Sequence, residues 1–518
     1  MEEEGEGCLS LTSWLIIGAV TLLLLWVWKA CRVYKTFTAM GVPGPKPMPL
    51  MGNILDTFKY GFVEQMARYG RQYGKIYGIF TFTKPMLLVT DLEMAREIFV
   101  KKFHSFPDRL SDGQPNRKPW TDVLTQLKGD HWKHVRSQLS PIFSSGKLKR
   151  MMPAIQRVTG TLTEYLKTAA EKGEAIELKG LSGRFSMDVF AGVAFSIELD
   201  SIHNPDDKFV KRAAVIMNPS KFVLTLLIFA PRLFWFLSKY GLDMGFKESL
   251  DFFRAVSESA AKDCGQDNEL QRRTDFVQLL VEAQEEQSRG AVDAEINHQD
   301  QLVTSSAWSR KGLTADEIHA NAFLFLLAGY ETVAVVTSFT FFLLALNPEC
   351  QKKAQEEVDK ILGKKRVDYE SANQLTYLDM CINEAMRLYP PAFIINREAV
   401  EDVEVGGLKI KKGFTVMFSC GDIHRDPQIW PDPETFDPLR HTSEARAERH
   451  PFAFMPFGMG PRNCIGMRLA QVEVRMAVAT ALQHFTLVPC EKTVNPPKLM
   501  KIRMQAEDGL WVKFQSRD

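Results

Sequence analysis

The pattern of apolar and polar positions divides the chain before any single residue is considered. Leu11 to Trp28 is a run of eighteen residues without a charge, including Leu15-Ile16-Ile17 and Leu22-Leu23-Leu24-Leu25. That length crosses a bilayer as a helix. The segment ahead of it is acidic (Glu2, Glu3, Glu4, Glu6), and Lys29, Arg32 and Lys35 follow it. A cleaved leader begins with basic residues instead. The positive-inside rule therefore places everything after Trp28 on the cytoplasmic side. The expected segments are 1–10 on the far side, 11–28 as transmembrane anchor, 29–49 as a basic, proline-rich hinge, and 50–518 as a cytoplasmic domain.

Beyond the hinge, helical spacing dominates. It predicts helices over Asp91–Phe103, Met151–Lys172, Phe185–Phe195, Asp251–Ala260, Asp275–Gln287, Thr376–Tyr389 and Met467–Phe485. The longest is Leu313–Leu346, opened by the capping box Thr314-Ala315-Asp316-Glu317 and closed by Asn347-Pro348. Short β-patterned runs predict a hairpin over Ile76–Val89, strands at 403–405, 408–410 and 415–418, and a last hairpin from 486–488 and 510–514, its tip near Met504 directed at a cavity. Phe222–Leu237 is strongly apolar but is broken by Pro231 and is too short for a second span. Glu285–Lys311 is polar and aperiodic, an exposed connection. The fold class is mainly α with small β-sheets.

Composition narrows this further. The charged fraction of 25% and apolar fraction of 45% are those of a folded globular chain. A net charge of +1 gives no field to attract nucleic acid, and none is expected as a partner. Eight cysteines lie scattered, without C-x-x-C spacing, so neither a zinc site nor a dithiol motif is indicated. A reducing compartment fits.

One cysteine stands apart. Phe457-Gly458-Met459-Gly460-Pro461-Arg462-Asn463-Cys464-Ile465-Gly466 sets Cys464 in a glycine-rich loop with an arginine beside it. Glycines let a backbone pass close to a flat object. The helix that follows turns its positive end toward Cys464, which favours a thiolate. Read without its neighbours, Cys464 is more readily a buried free cysteine.

The stretch reproduces F-x-x-G-x-R-x-C-x-G and so resembles the haem-binding signature of the cytochrome P-450 family. The resemblance extends over most of the chain. His131-Trp132-Lys133-His134-Val135-Arg136 is similar to the family's W-x-x-x-R, whose two side chains share one helix face and reach one anion. His131 and His134 are read as contacts to solvent or a partner. Ala328-Gly329-Tyr330-Glu331-Thr332 resembles the oxygen-side motif, with Gly329 leaving room for dioxygen, Glu331 relaying protons and Thr332 orienting them. Val333 stands where the family often repeats a hydroxyl. Glu384-Ala385-Met386-Arg387 matches E-x-x-R, and Arg440 would complete the family's structural triad. Leu439 and His441 depart from the usual neighbours, so weaker support is expected there.

The resemblance implies a haem b held between the oxygen-side helix and the helix after Cys464, with Cys464 as axial iron ligand. Arg462, Trp132, Arg136, Arg397 and Arg109 would hold the propionates, and Phe457, Gly458 and Gly466 would shape the loop. Ala328, Ala392, Phe393, Ile394 and Ile395 would line the substrate pocket. The implied reaction is monooxygenation of a lipophilic steroid, fatty acid or xenobiotic. The chain has no dinucleotide fingerprint, so NADPH electrons would arrive through a separate NADPH-cytochrome P-450 reductase, with cytochrome b5 as an optional second donor. Microsomal relatives imply a single-pass protein of the endoplasmic reticulum membrane, with residues 1–10 lumenal and the 222–237 region dipping into lipid above the cavity. Segments such as Arg273–Leu280 are similar to the group containing the steroid- and drug-oxidising family-3 enzymes and thromboxane synthase. That group leaves a lipid endoperoxide isomerase as the alternative, which Thr332 disfavours. A haem protein that binds ligands without turnover is a second alternative.

Overall fold

The computed structural model describes residues 11–110, 119–217, 219–220, 222–223, 226–227, 231–263, 276, 278–279, 312–501 and 504–517. The expected lumenal segment 1–10, the connection 285–311 and most of the expected helix 275–287 lie outside the described residues.

The apolar N-terminal run forms helix α1, Leu11–Tyr34, which continues past the expected end at Trp28. Its large side chains, such as Trp14 and Leu24, are exposed along most of its length. A second helix is long and apolar enough to span a membrane, but most of it is buried inside the protein. This is the long core helix described next.

The helical body is built from α2 (Gly129–Leu139), α3 (Ser145–Lys172), α4 (Leu178–Phe195), α5 (Phe246–Asp263), α6 (Ala315–Leu346), α7 (Pro348–Leu362), α8 (Thr376–Leu388) and α9 (Met467–His484). Helix α6 is apolar on all faces because it runs through the centre of the main core. It begins as expected, with Thr314 and Glu317 capping each other. Helix α4 packs along it, and α8 and α9 flank it. The helix expected over 91–103 is an α-helical turn, Leu92–Arg96, continuing into a wider turn over Glu97–Lys101.

Three small sheets sit at the edges. The first orders its strands β1 (Ile76–Thr81), β2 (Lys84–Val89), β7 (Thr415–Ser419) and β4 (Ile394–Glu398). Strands β1 and β2 form the expected hairpin, and β2 runs parallel to β7, with Met86 opposite Thr415. The second sheet pairs β3 (Ala175–Glu177) with β9 (Trp511–Ser516), which also pairs with β8 (Phe485–Val488). The third is the two-stranded β5 (Val403–Val405) and β6 (Leu408–Ile410). Strand β4 carries residues expected at the pocket into reach of α6, which is how this sheet positions the site.

Candidate functional site

The cysteine loop is a sequence of tight turns ahead of α9. Cys464 N–H donates to Phe457 O at 2.8 Å, Asn463 N–H to Gly460 O at 3.0 Å, and Gly458 N–H to Met455 O at 3.0 Å. Gly458 and Gly460 both have a φ of +73°, a region that glycine enters without strain. Gly460 has a second reason: a Cβ there would lie 2.1 Å from the carbonyl oxygen of Phe99.

Cys464 opens into a cavity of about 370 Å³ between the loop, α9 and α6. Trp132, Arg136, Arg109, Arg462, Phe457, Gly458 and Gly466 line it on the loop side. Ala328, Gly329 and Thr332 of α6, with Ala392, Ile394 and Ile395, line the remainder. Although α6 is a core helix, Ala328 and Thr332 are exposed to this space.

Helix α2 places Trp132 and Arg136 on one buried face, as the i, i+4 spacing predicts. Arg136 donates to the backbone and side-chain oxygens of Asn463 at 3.0 and 3.1 Å. The Arg462 guanidinium lies 4.6 Å from the Trp132 ring centre and donates to Leu127 O. Arg109 donates to Arg462 O at 3.0 Å. Arg397 is fully buried 4.7 Å from the Phe99 ring but stands behind the cavity wall rather than in it. Burial and mutual repulsion with Arg109 and Arg462 push its pKa well down, and burial with repulsion from Arg109 takes Arg462 down to about 9. Asp108 is the acid that acts on Arg462, and its Oδ1 already accepts from Gly129 N–H at 2.8 Å.

Guanidinium groups this crowded need an anion. Nε of Arg109 and Nε and Nη1 of Arg462 have no hydrogen-bond partner among the described residues. An apolar slot with a thiol at its floor and guanidinium groups at its edge fits a flat, dianionic, metal-centred group such as haem b. The Cys464 thiol agrees. Burial raises its pKa, although the Gly466 N–H, Arg136 and Arg109 pull the other way. The expected thiolate is therefore not set by the helix terminus alone, and a bound metal cation is what deprotonates such a thiol.

Several side chains differ from expectation. Phe393 does not line the cavity: its ring lies over Gly421, where a Cβ would come within 1.7 Å of it. Glu331 turns toward α4, with Oε2 at 3.0 Å from Lys179 Nζ. Thr332 lines the cavity while its hydroxyl donates to Ala328 O of its own helix at 2.6 Å. The notch at Gly329 is filled, since a Cβ there would strike the ring of Phe190, 1.9 Å from its Cζ. Close packing of Phe190 from α4 on α6 is one demand for this glycine, which also lines the cavity. His131 and His134 face inward, to Glu317 at 2.7 Å and Gly312 O at 3.0 Å. Met504 is buried in the main core and does not reach the cavity.

Behind the loop, Arg387 donates to both oxygens of Glu384 at 2.8 Å, with both residues fully buried. Arg440 stands at 3.5 Å from the same carboxylate. His441, expected as weaker support, is itself a member, with Nε2 at 2.9 Å from Glu384 Oε2. Burial would raise the Glu384 pKa, but hydrogen bonds from His441 and Arg387 hold it below its ordinary value. Arg387 also donates to His424 O at 2.8 Å, and Met455 N–H donates to His424 Nε2 at 3.0 Å. The network thus reaches the start of the cysteine loop through His424, a residue that no local motif singles out.

The cytochrome P450 family model matches residues 42–512. The chain is 36% identical over 517 residues to cytochrome P450 3A41 of Mus musculus, covering 98% of each chain. It is 36% identical over 515 residues to cytochrome P450 3A31 of Mesocricetus auratus, again with 98% of each covered. The lithocholate 6-beta-hydroxylase of Mesocricetus auratus is 36% identical over 516 residues, with the same coverage. With its cysteine loop, cavity and matched length, the chain belongs to the cytochrome P450 family: it is a haem b monooxygenase that draws electrons from a redox partner and acts on lipophilic substrates.

Proposed function

We propose that Cys464 is the axial ligand of the haem iron and that Arg109, Trp132, Arg136 and Arg462 hold the propionates, with Arg397 supporting them from behind the wall. The observation that carries this reading is the thiol of Cys464 opening into an apolar cavity edged by buried guanidinium groups. When bound, the haem supplies the iron at which dioxygen is activated. The chain's own residues do the rest. The Glu384–Arg387–His441 network and His424 hold the cysteine loop in place. Ala328, Ala392, Ile394 and Ile395 present an apolar wall that orients a lipophilic substrate and excludes water. Thr332 keeps a hydroxyl oxygen at the cavity, and the neighbouring Glu331 carboxylate, held by Lys179, relays protons when it turns inward. Thr332 favours monooxygenation over endoperoxide isomerisation or ligand binding without turnover.

The substrate class is steroid, fatty acid or xenobiotic, and the hydroxylase name of one relative favours a steroid-like ring system. The electron donor is NADPH-cytochrome P-450 reductase, with cytochrome b5 as an optional second donor. The chain is anchored in the endoplasmic reticulum membrane by α1, with 1–10 lumenal, 29–49 as hinge and 50–518 as the cytoplasmic catalytic domain. Exposed Phe222, Leu233 and Phe236 support a second contact with lipid.

Purified protein, reductase, NADPH and isotopically heavy dioxygen, offered a steroid, a fatty acid and a lipid endoperoxide, test this. One heavy oxygen atom in a product is expected. A rearranged endoperoxide formed without label or NADPH would overturn it.

A further inference from the structure

We propose that Asn321 is a positioning residue for substrate selection, because its side-chain amide fixes the cavity wall at Leu124 and Thr125. This rests on the reading of the cavity as a substrate pocket.

Asn321 is fully buried on α6, in an otherwise apolar run. A leucine would pack there without the cost of burying an amide, so the amide needs a reason. Every end of it is used. Its Oδ1 accepts from Leu124 N–H at 2.8 Å. Its Nδ2 donates to Asp122 O at 3.1 Å and to Glu317 O, one turn back on its own helix, at 2.7 Å. The Leu124 N–H admits only an acceptor, which fixes which way the amide faces.

The segment held in this way, 119–127, belongs to no sheet. Its own backbone bonds are few: the turn at Trp120–Asp122, and Gln126 and Leu127 N–H donating to Val123 O, so Leu124 N–H and Asp122 O are met by the Asn321 side chain. Trp120 packs edge-on against Phe323 of α6, with ring centres 5.7 Å apart. At the other end, Leu127 O accepts from Arg462 of the cysteine loop. Leu124 and Thr125 lie between the two clamps and line the cavity. One clamp belongs to the haem-edge arginine and the other to Asn321. Losing the second frees the wall while leaving the first in place.

The test compares the haem-loaded full chain with N321L and N321D. N321L keeps the apolar packing and removes the amide. N321D keeps the acceptor for Leu124 and removes the donor to Asp122. Amide hydrogen exchange at Leu124 is expected to rise by about tenfold in N321L, the scale of one to two lost hydrogen bonds, and less in N321D. The ratio of dissociation constants for testosterone and laurate, read from the ferric haem spectrum, is expected to shift by about fivefold or more in N321L. Unchanged exchange at Leu124 in both variants overturns the proposal. So does a fall in affinity for both probes by the same factor, since that is general loosening. If the wild-type chain holds haem but binds neither probe, the substrate reading fails, and Leu124 exchange still decides whether Asn321 holds the wall.

Discussion

Lys179 Nζ stands 3.0 Å from Glu331 Oε2, drawing the carboxylate beside Thr332 toward α4 and away from the cavity. The Tyr330 ring lies under the same ammonium at 5.7 Å. Both charged side chains keep some exposure, 12% for Lys179 and 25% for Glu331, so the pair bridges the interior and the surface. If Glu331 must swing inward to pass a proton, Lys179 restrains it. E331Q is expected to lower product formation by about 10²-fold, the usual loss for an acid–base group. K179M is expected to raise turnover several-fold and to have no effect in an E331Q background. Steady-state turnover in the four proteins checks this, and an equal effect of K179M in both backgrounds contradicts it.

Phe190 and Gly329 predict a stability effect. A methyl group at Gly329 has no room unless the Phe190 ring moves. G329A is expected to cost about 1–3 kcal/mol, the range for overpacking, even though alanine is the better helix former. F190L in the same chain should recover much of the loss. Thermal unfolding of both variants tests it, and a G329A protein as stable as the parent would contradict the packing argument.

His424 sets a pH dependence. Burial, with Arg387, Arg425 and His441 adding repulsion, lowers its pKa from 6.5 to about 3. The unfolded chain takes up this proton near pH 6.5 and the folded chain does not until about 3. Stability therefore falls as pH drops through that window, by about 1.4 kcal/mol per unit for this group. Tm between pH 7.5 and 5.5 should fall more steeply for the parent than for H424Q. Equal slopes would remove His424 from the account.

Glu473 on α9 works in the opposite direction. It is fully buried, and neither carboxyl oxygen has a hydrogen-bond partner among the described residues. Ser186, the polar group that acts on it, donates to Gly329 O at 3.4 Å. Burial raises the Glu473 pKa well above its ordinary value and so favours the neutral acid in the folded chain. The unfolded chain releases this proton near 4.5, so the group's contribution is lost as pH rises above that value. E473Q should be more stable than the parent at pH 7.5, with the gap closing toward pH 5. The infrared carbonyl stretch of a protonated acid should vanish in E473Q, and its absence from the parent would contradict the assignment.

The sequence carried what is local. The cysteine loop was legible because its residues are consecutive, and Trp132 and Arg136 because one helical turn joins them. The hairpin over Ile76–Val89 was legible from its β-formers. What depends on packing between distant segments was not. Phe190 lies far from Gly329 in the chain, so the packing demand for this glycine is not visible in the sequence. Phe393 follows the apolar pattern of its neighbours, yet Gly421 opens a seat for its ring on the other side. His441 looked like a weakness because its partner, Glu384, is supplied by another helix. Asn321 reads as one polar residue in an apolar helix until the segment at Leu124 is brought beside it.

The most direct measurement is the reduced, carbon monoxide-bound absorption spectrum of the purified chain and of C464S. The parent should show the long-wavelength band of a thiolate-ligated haem, and C464S should lose that band while its fold persists by circular dichroism. An unchanged band in C464S, or a parent spectrum typical of histidine ligation, would contradict the assignment of Cys464 and the site built on it.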